Sequence, residues 1–345
     1  MINIQLLSDI CRAPGAPGYE NEIRNLILSQ LEGKVDHLEV DPMGNIIAMK
    51  RGRSKKKLLF SAHMDEIGFI VQHIDDDGFI KFLPLGGFDP KTLTAQRVII
   101  QGKKNIIGVM GSKPIHLMSP EERNKVPAIK DYFIDTGLTK TELEDFISVG
   151  DPITRERELI EMGDCINAKS LDNRISVYAL LQAILEISEP SLDTYAVFSV
   201  QEEVGLRGAK VAAHRVQADY AINLDTTIAF DVPGSQSYEI VTRLGQGTAI
   251  KWMDSSVLCD QRLIRFLKSC AVAKGIPWQP ELLPAGGTDT SVVQQAAGGC
   301  IAGAISIPTR HIHQVIEMVN RNDVRHTIDL CLEAMIKIDS YDFSF

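Results

Sequence analysis

Residues 196–208 read AVFSVQEEVGLRG: five residues suited to a buried strand, then Gln201, then Glu202 and Glu203 side by side. Two adjacent carboxylates at the mouth of an apolar strand fit either a solvated loop or an active site. The surrounding chain decides between them. Upstream, RISVYALLQAILEIS (174–188) reads as a strong helix, and TYAVFSV (194–200) is the strand that ends at the glutamates. Downstream, a helix through GAKVAAHR (208–215) precedes the strands YAINLD (220–225) and CIAGAISIP (300–308). Short apolar strands alternating with helices predict a three-layer α/β domain.

Nearer the start, Pro14, Gly15, Pro17 and Gly18 separate two helical pieces. In the second piece Ile23, Leu26, Ile27 and Leu31 recur at helical spacing. The strands NIIAMK (45–50) and KLLFSAH (57–63) follow, and the basic run RGRSKKK (51–57) between them reads as a solvated hairpin turn. From about 67 to 162 the character changes to short alternating strands broken by Gly, Asp and Pro, as in GFIVQHIDDDGFIKFLPLGG (68–87). This predicts a small β-rich module, residues 67–162, inserted into an α/β catalytic domain made of 1–66 and 163–345.

With 345 residues and 44% apolar content the chain has ample material for a core. Its net charge of −9, from 45 acids against 36 bases, argues against nucleic acid or an anionic membrane as partner. The start MINIQLLSDICRAPG lacks the basic-then-apolar pattern of a signal peptide, so a cytoplasmic location is expected. The six cysteines are scattered without a C-x-x-C pair and read as buried hydrophobes in a reducing compartment.

In open α/β sheets, ligands collect beyond the carboxyl ends of the strands. His63 and Asp65 follow LLFSA, Glu202 and Glu203 follow AVFSV, Asp225 ends YAINLD, and His311 and His313 follow AISIPTR. Asp172 stands at the start of a helix. Imidazole and carboxylate without thiolate suit Zn²⁺, Co²⁺ or Mn²⁺ in a hydrolytic site, and two such ions can share a carboxylate. His63-x-Asp65 fits a ligand and the carboxylate that orients it. One of the adjacent glutamates would bind metal and the other would take the proton of the attacking water, with Asp225 serving the other ion. Of His311 and His313, one reads as a ligand and one as a pocket or surface residue. Gly286 and Gly287 in AGGTDTSVV permit close backbone approach to a ligand, whereas a turn capped by Thr288 or Asp289 is the simpler reading. GLRGAK and GQGTAI lack phosphate-loop spacing.

The ordered set SAHMDEIGFIV (61–71), KSLDNR (169–174), VQEEVGLRGA (200–209), INLDTT (222–227), GGTDT (286–290) and IPTRHIHQVIEM (307–318) resembles the M42 family of dinuclear metallo-aminopeptidases, which includes the TET and glutamyl aminopeptidases. APGYE (16–20), DPMGN (41–45), GGFDPKTL (86–93) and GVMGSKPIHLMSPEER (108–123) extend the resemblance over essentially the whole chain. It implies that His63 and Asp225 hold one metal, that Glu203 and His313 hold the other, and that Asp172 bridges them. Glu202 would be the general base, and Asp65 would orient His63. Gly286, Gly287, Thr288 and His311 are the candidate substrate-pocket residues. The resemblance further implies two divalent metal ions per subunit, short peptides as substrates, a PDZ-like insertion that serves self-association, and dimers assembling to a dodecamer. HIHQV departs from the usual aromatic-Ile-His-Ser stretch, with His311 for a tyrosine and Gln314 for a serine.

Other chemistries fit less well. A carboxypeptidase or deacylase needs a cation for the substrate's anion, for which Arg174, Arg207 and Arg310 are the candidates. An endoglucanase would use two carboxylates and leave His63 and His313 without a role. A non-catalytic shell would have no need of an intact ligand set.

Overall fold

A computed structural model describes residues 2–345. Four parallel strands form the middle of the main sheet, in the order Leu192–Ser199, Ser54–His63, Tyr220–Ile228 and Ile301–Arg310. Antiparallel strands extend it at both edges, so the sheet is mixed.

Side-chain alternation divides the strands between two faces. Leu58, Phe60, Ala196, Phe198, Ile222 and Ile305 join the larger core, which the helices Ile4–Arg12, Leu171–Glu186, Gln261–Lys274 and Arg321–Lys337 cover. Leu59, Val197, Ala221 and Ala302 face the other way, against Ala209, Ala212, Ala213 and Val216 of the helix Arg207–Val216. Each fully buried Leu or Phe contributes roughly 1.5–3 kcal/mol of transfer free energy. The small alanine side chains let that second helix lie close to the sheet. The result is an α/β fold with helices on both faces.

One local expectation is overturned. RGRSKKK is not a hairpin turn, because Leu192–Ser199 lies between Ile46–Lys50 and Ser54–His63 and pairs with both. The apolar strand carries backbone partners on each edge, which separates its two neighbours. Gly52 makes the crossing possible: a methyl group there would lie 2.1 Å from the Leu192 carbonyl carbon. Its N–H donates to Asp193 Oδ1 at 2.9 Å.

Strands within residues 68–155 close into a six-stranded antiparallel barrel, in the order Gly68–Ile74, Ile80–Leu85, Phe133–Asp135, Asn105–Gly111, Arg97–Gln101 and Pro152–Arg155. The barrel has its own core, including Phe69, Phe82, Val98, Ile100, Ile134 and Ile153. Ile160–Met162, expected within the insertion, instead pairs with Cys165–Ala168 at the edge of the main sheet. Among the described residues no helix is long and apolar enough to cross a membrane.

Candidate metal centre and active site

His63 is the last residue of its strand, and its neighbour Met64 donates its N–H to Ser199 O at 2.8 Å. The imidazole is 2% exposed. Its Nδ1 lies 3.2 Å from Asp65 O and 3.4 Å from Asp65 Oδ1, an environment that keeps the proton on Nδ1. Nε2 faces Asp172 Oδ1 at 3.4 Å, Asp225 Oδ1 at 3.8 Å and Glu202 Oε2 at 3.9 Å.

Asp65 has a second task. Its two carboxylate oxygens accept the backbone N–H groups of Glu202 at 3.0 Å and Glu203 at 3.1 Å. One carboxylate therefore orients the histidine and anchors the turn that carries both glutamates. That turn is not extended: Gln201 has φ +55° and Leu206 φ +58°. The glutamates still diverge, with Glu202 toward His63 and Glu203 Oε2 at 3.5 Å from His313 Nε2.

Asp172 lies between the histidines. Its Oδ1 is 3.4 Å from His63 Nε2 and its Oδ2 is 3.3 Å from His313 Nε2. Asp172 and Asn173 depart from helical geometry, so the helix proper starts after them and the side chain is free to face the site. Behind it, Glu66 pairs with Lys169 at 2.7 Å and lies 3.6 Å from Arg174, all of them buried. This network ties the end of the His63 strand to the segment that presents Asp172.

His313 occupies a turn, with φ +65°, and His311 before it has φ +60°. The segment is not extended, so strand alternation does not apply to it. His311 is exposed and does not line the cavity, which corrects its expected place in the pocket; Ile312 lines the cavity instead. Gly286, Gly287 and Thr288 do line it. Thr288 caps no helix, since its hydroxyl donates to Asp254 Oδ2 at 3.0 Å.

Several residues outside the expected set complete the site. Glu317 is buried, and its carboxylate accepts the N–H of His313 at 2.7 Å and that of Asp172 at 2.9 Å. Its position four residues after His313 was the available signal. Asp289 is 1% exposed, accepts from Ser199 Oγ at 2.7 Å and adds charge near Glu202. Lys251 lies in the cavity wall, held by Asp254 and Glu281 at 3.1 Å each. Gly87, Phe88 and Asp89 reach the cavity from the barrel.

The electrostatics follow from crowding. Burial, with Asp172 and Asp65 nearby, pushes Glu203 up to about 8. Burial, with Asp172 and Asp289 nearby, pushes Asp225 up to about 7. Burial would lower His313, but Asp172, Glu203 and Glu317 raise it to about 9. Asp172 goes the other way: its two imidazole partners outweigh burial and hold it well below the usual carboxylate range. Five carboxylates, Asp65, Asp172, Glu202, Glu203 and Asp225, thus crowd two imidazoles. The donor sets His63–Asp172–Glu203 and His63–Glu202–Asp225, each with ligand atoms within 4.8 Å of one another, fit divalent ions.

Glu20 steadies the same turn from the N-terminal segment. Its Oε1 accepts from Gly18 N at 2.7 Å and Gln201 N at 3.2 Å. Burial, with Asp65 nearby, pushes its carboxyl up to about 7. The folded value lies above the ordinary 4.5, so its contribution to stability falls as pH rises from 4.5 to about 7. Glu20→Gln keeps the acceptor without the charge. In metal-free protein at about pH 8 the variant is expected to unfold at a higher denaturant midpoint than the parent. Equal midpoints there would show that Glu20 does not carry this cost.

Residues 44–330 match the family model of the M42 glutamyl aminopeptidases. The chain belongs to the M42 family. It is 33% identical to the lysyl aminopeptidase of Pyrococcus furiosus over 354 aligned positions, covering 100% of both chains. The solved aminopeptidase of the archaeon Desulfurococcus kamchatkensis is 37% identical with a TM-score of 0.93, covering 97% of this chain and 94% of that one. The TET1 peptidase of Pyrococcus horikoshii, described as assembling into a tetrahedron or a large octahedral shell, is 31% identical with a TM-score of 0.87. That match covers 97% of this chain and 99% of the other. This M42 chain is thus an aminopeptidase of that family, and M42 enzymes are metallopeptidases.

Proposed function

We propose that this M42 chain is a dinuclear metal-dependent aminopeptidase that releases N-terminal residues from short peptides. The observation that supports this most directly is the placement of Asp172, whose two oxygens face the Nε2 atoms of two histidines at 3.4 and 3.3 Å. In this reading His63 and Asp225 would hold one ion, Glu203 and His313 would hold the other, and Asp172 would serve both. Bound Zn²⁺, Co²⁺ or Mn²⁺ ions would supply Lewis acidity to the scissile carbonyl and make a water nucleophilic at neutral pH.

The chain's own residues do the rest. Glu202 takes a proton from the attacking water as its oxygen bonds to the carbonyl carbon. It then delivers that proton to the leaving nitrogen as the C–N bond breaks, giving an amino acid and a peptide one residue shorter. Burial, with Asp289, Glu203 and Asp225 nearby, raises Glu202 well above the ordinary carboxylate range, which suits a group that must carry a proton. Asp65 keeps His63 in one tautomer, and the cavity of about 660 Å³ accommodates a short peptide rather than a folded chain.

The arrangement favours an aminopeptidase over a carboxypeptidase. Arg174 is buried and donates to Ile10 O and Ala13 O, Arg310 pairs with Asp231 at 2.6 Å, and neither they nor Arg207 line the cavity. Lys251 is already matched by two carboxylates. The inserted barrel, read as the PDZ-like module of the family, would carry self-association into dimers and a dodecamer. Free peptides are expected to be cleaved and their N-acetylated counterparts not. EDTA is expected to stop the reaction, and restored metal to restart it. Cleavage of blocked peptides at equal rate, or activity that survives EDTA, would sink the reading.

A further inference from the structure

We propose that Arg155 is a positioning residue for His313, and that through it the inserted barrel holds the second metal side in shape; the inference rests on the dinuclear reading above. Arg155 ends the last barrel strand, Pro152–Arg155, and is 2% exposed. Its Nη1 donates to the backbone carbonyl of His313 at 3.0 Å. On the other side of the same residue, Glu317 Oε1 accepts the His313 N–H at 2.7 Å. His313 is therefore gripped at both of its backbone groups, once from the barrel and once from the main sheet.

The grip has a physical purpose. His313 sits at φ +65°, a left-handed conformation that a Cβ disfavours and that persists only when its surroundings impose it. The barrel touches this side of the site elsewhere too. A methyl on Gly87 would lie 3.6 Å from His313 Nδ1, and one on Gly86 would lie 3.4 Å from Glu203 Cβ. The next residue, Phe88, lines the cavity, and its ring lies under the Arg155 guanidinium at 5.4 Å.

Fold stability is a poor explanation for an arginine here. Its Nε and Nη2 are buried without a hydrogen-bond partner, which is an expensive way to fill space. A methionine would occupy similar volume against Phe88 at no such cost. What the methionine could not do is hold the His313 carbonyl.

The test uses the full-length holoenzyme and the variants Arg155→Met and Arg155→Gln, run side by side so that one misfolded variant does not decide the matter. Metal bound per subunit is measured by elemental analysis across chelator-buffered Zn²⁺ concentrations, together with the Tm of the metal-free form. The second metal is expected to bind about 10- to 100-fold more weakly, with the first unchanged. The metal-free Tm is expected to be equal to the parent's or higher. Parental affinity for both metals in either folded variant overturns the proposal. So does a fall in metal-free Tm accompanied by equal weakening of both metals, which would make Arg155 a general structural residue. A parent that itself binds fewer than two metals would instead overturn the dinuclear reading.

Discussion

Glu202→Gln is expected to lower kcat by about 10²–10⁴-fold, the range a positioned general base contributes, while leaving both metals bound. The substitution keeps size and shape, so the hydrogen bond from the residue 202 N–H to Asp65 survives and the turn stays in place. Only the proton-accepting oxygen is lost. Kinetics on an aminoacyl chromogenic substrate, paired with elemental analysis, separates the outcomes. A variant retaining most of its kcat would remove Glu202 as the base. One that loses a metal would make it a ligand, which its 3.9 Å distance to His63 Nε2 makes a real alternative.

Glu203→Ala is expected to strip one metal per subunit and with it nearly all turnover. Glu203 Oε2 faces His313 Nε2 at 3.5 Å, and without it the second ion would keep only His313 and one oxygen of the shared Asp172 from the protein. The loss in affinity should exceed the roughly 10- to 100-fold expected for an outer hydrogen-bonding partner such as Arg155. The first ion, with His63, Asp225 and Asp172, should remain. If elemental analysis still finds two ions, the division of labour between the adjacent glutamates is wrong.

Much of the site's membership was legible in the sequence because of a topological regularity. Parallel strands end on one edge, so the residues that follow LLFSA, AVFSV and YAINL had to converge, and the structure brings His63, the two glutamates and Asp225 together there. What failed lay where distant contacts set the backbone path. His311 was expected in the pocket or at the surface, and a left-handed turn leaves it exposed and off the cavity wall. The hairpin at RGRSKKK failed because strand order is set by partners far away in sequence, here Leu192–Ser199. Glu317 and Arg155 act through backbone groups of other residues; Glu317 at least stands four residues after His313, whereas nothing beside Arg155 in the sequence advertises its contact.

The strand Leu192–Ser199, wedged between two strands from the first fifth of the chain, also sets an order in time during synthesis. The barrel has every strand partner it needs once residue 155 has left the ribosome. Ser54–His63 has no partner until Leu192–Ser199 arrives, and its other neighbour comes later still, at Tyr220–Ile228. The guest can finish before its host has begun to close. The residues proposed to hold metal run from 63 to 313, so the nascent chain can meet both ions only after residue 313 has emerged, long after the barrel's last strand.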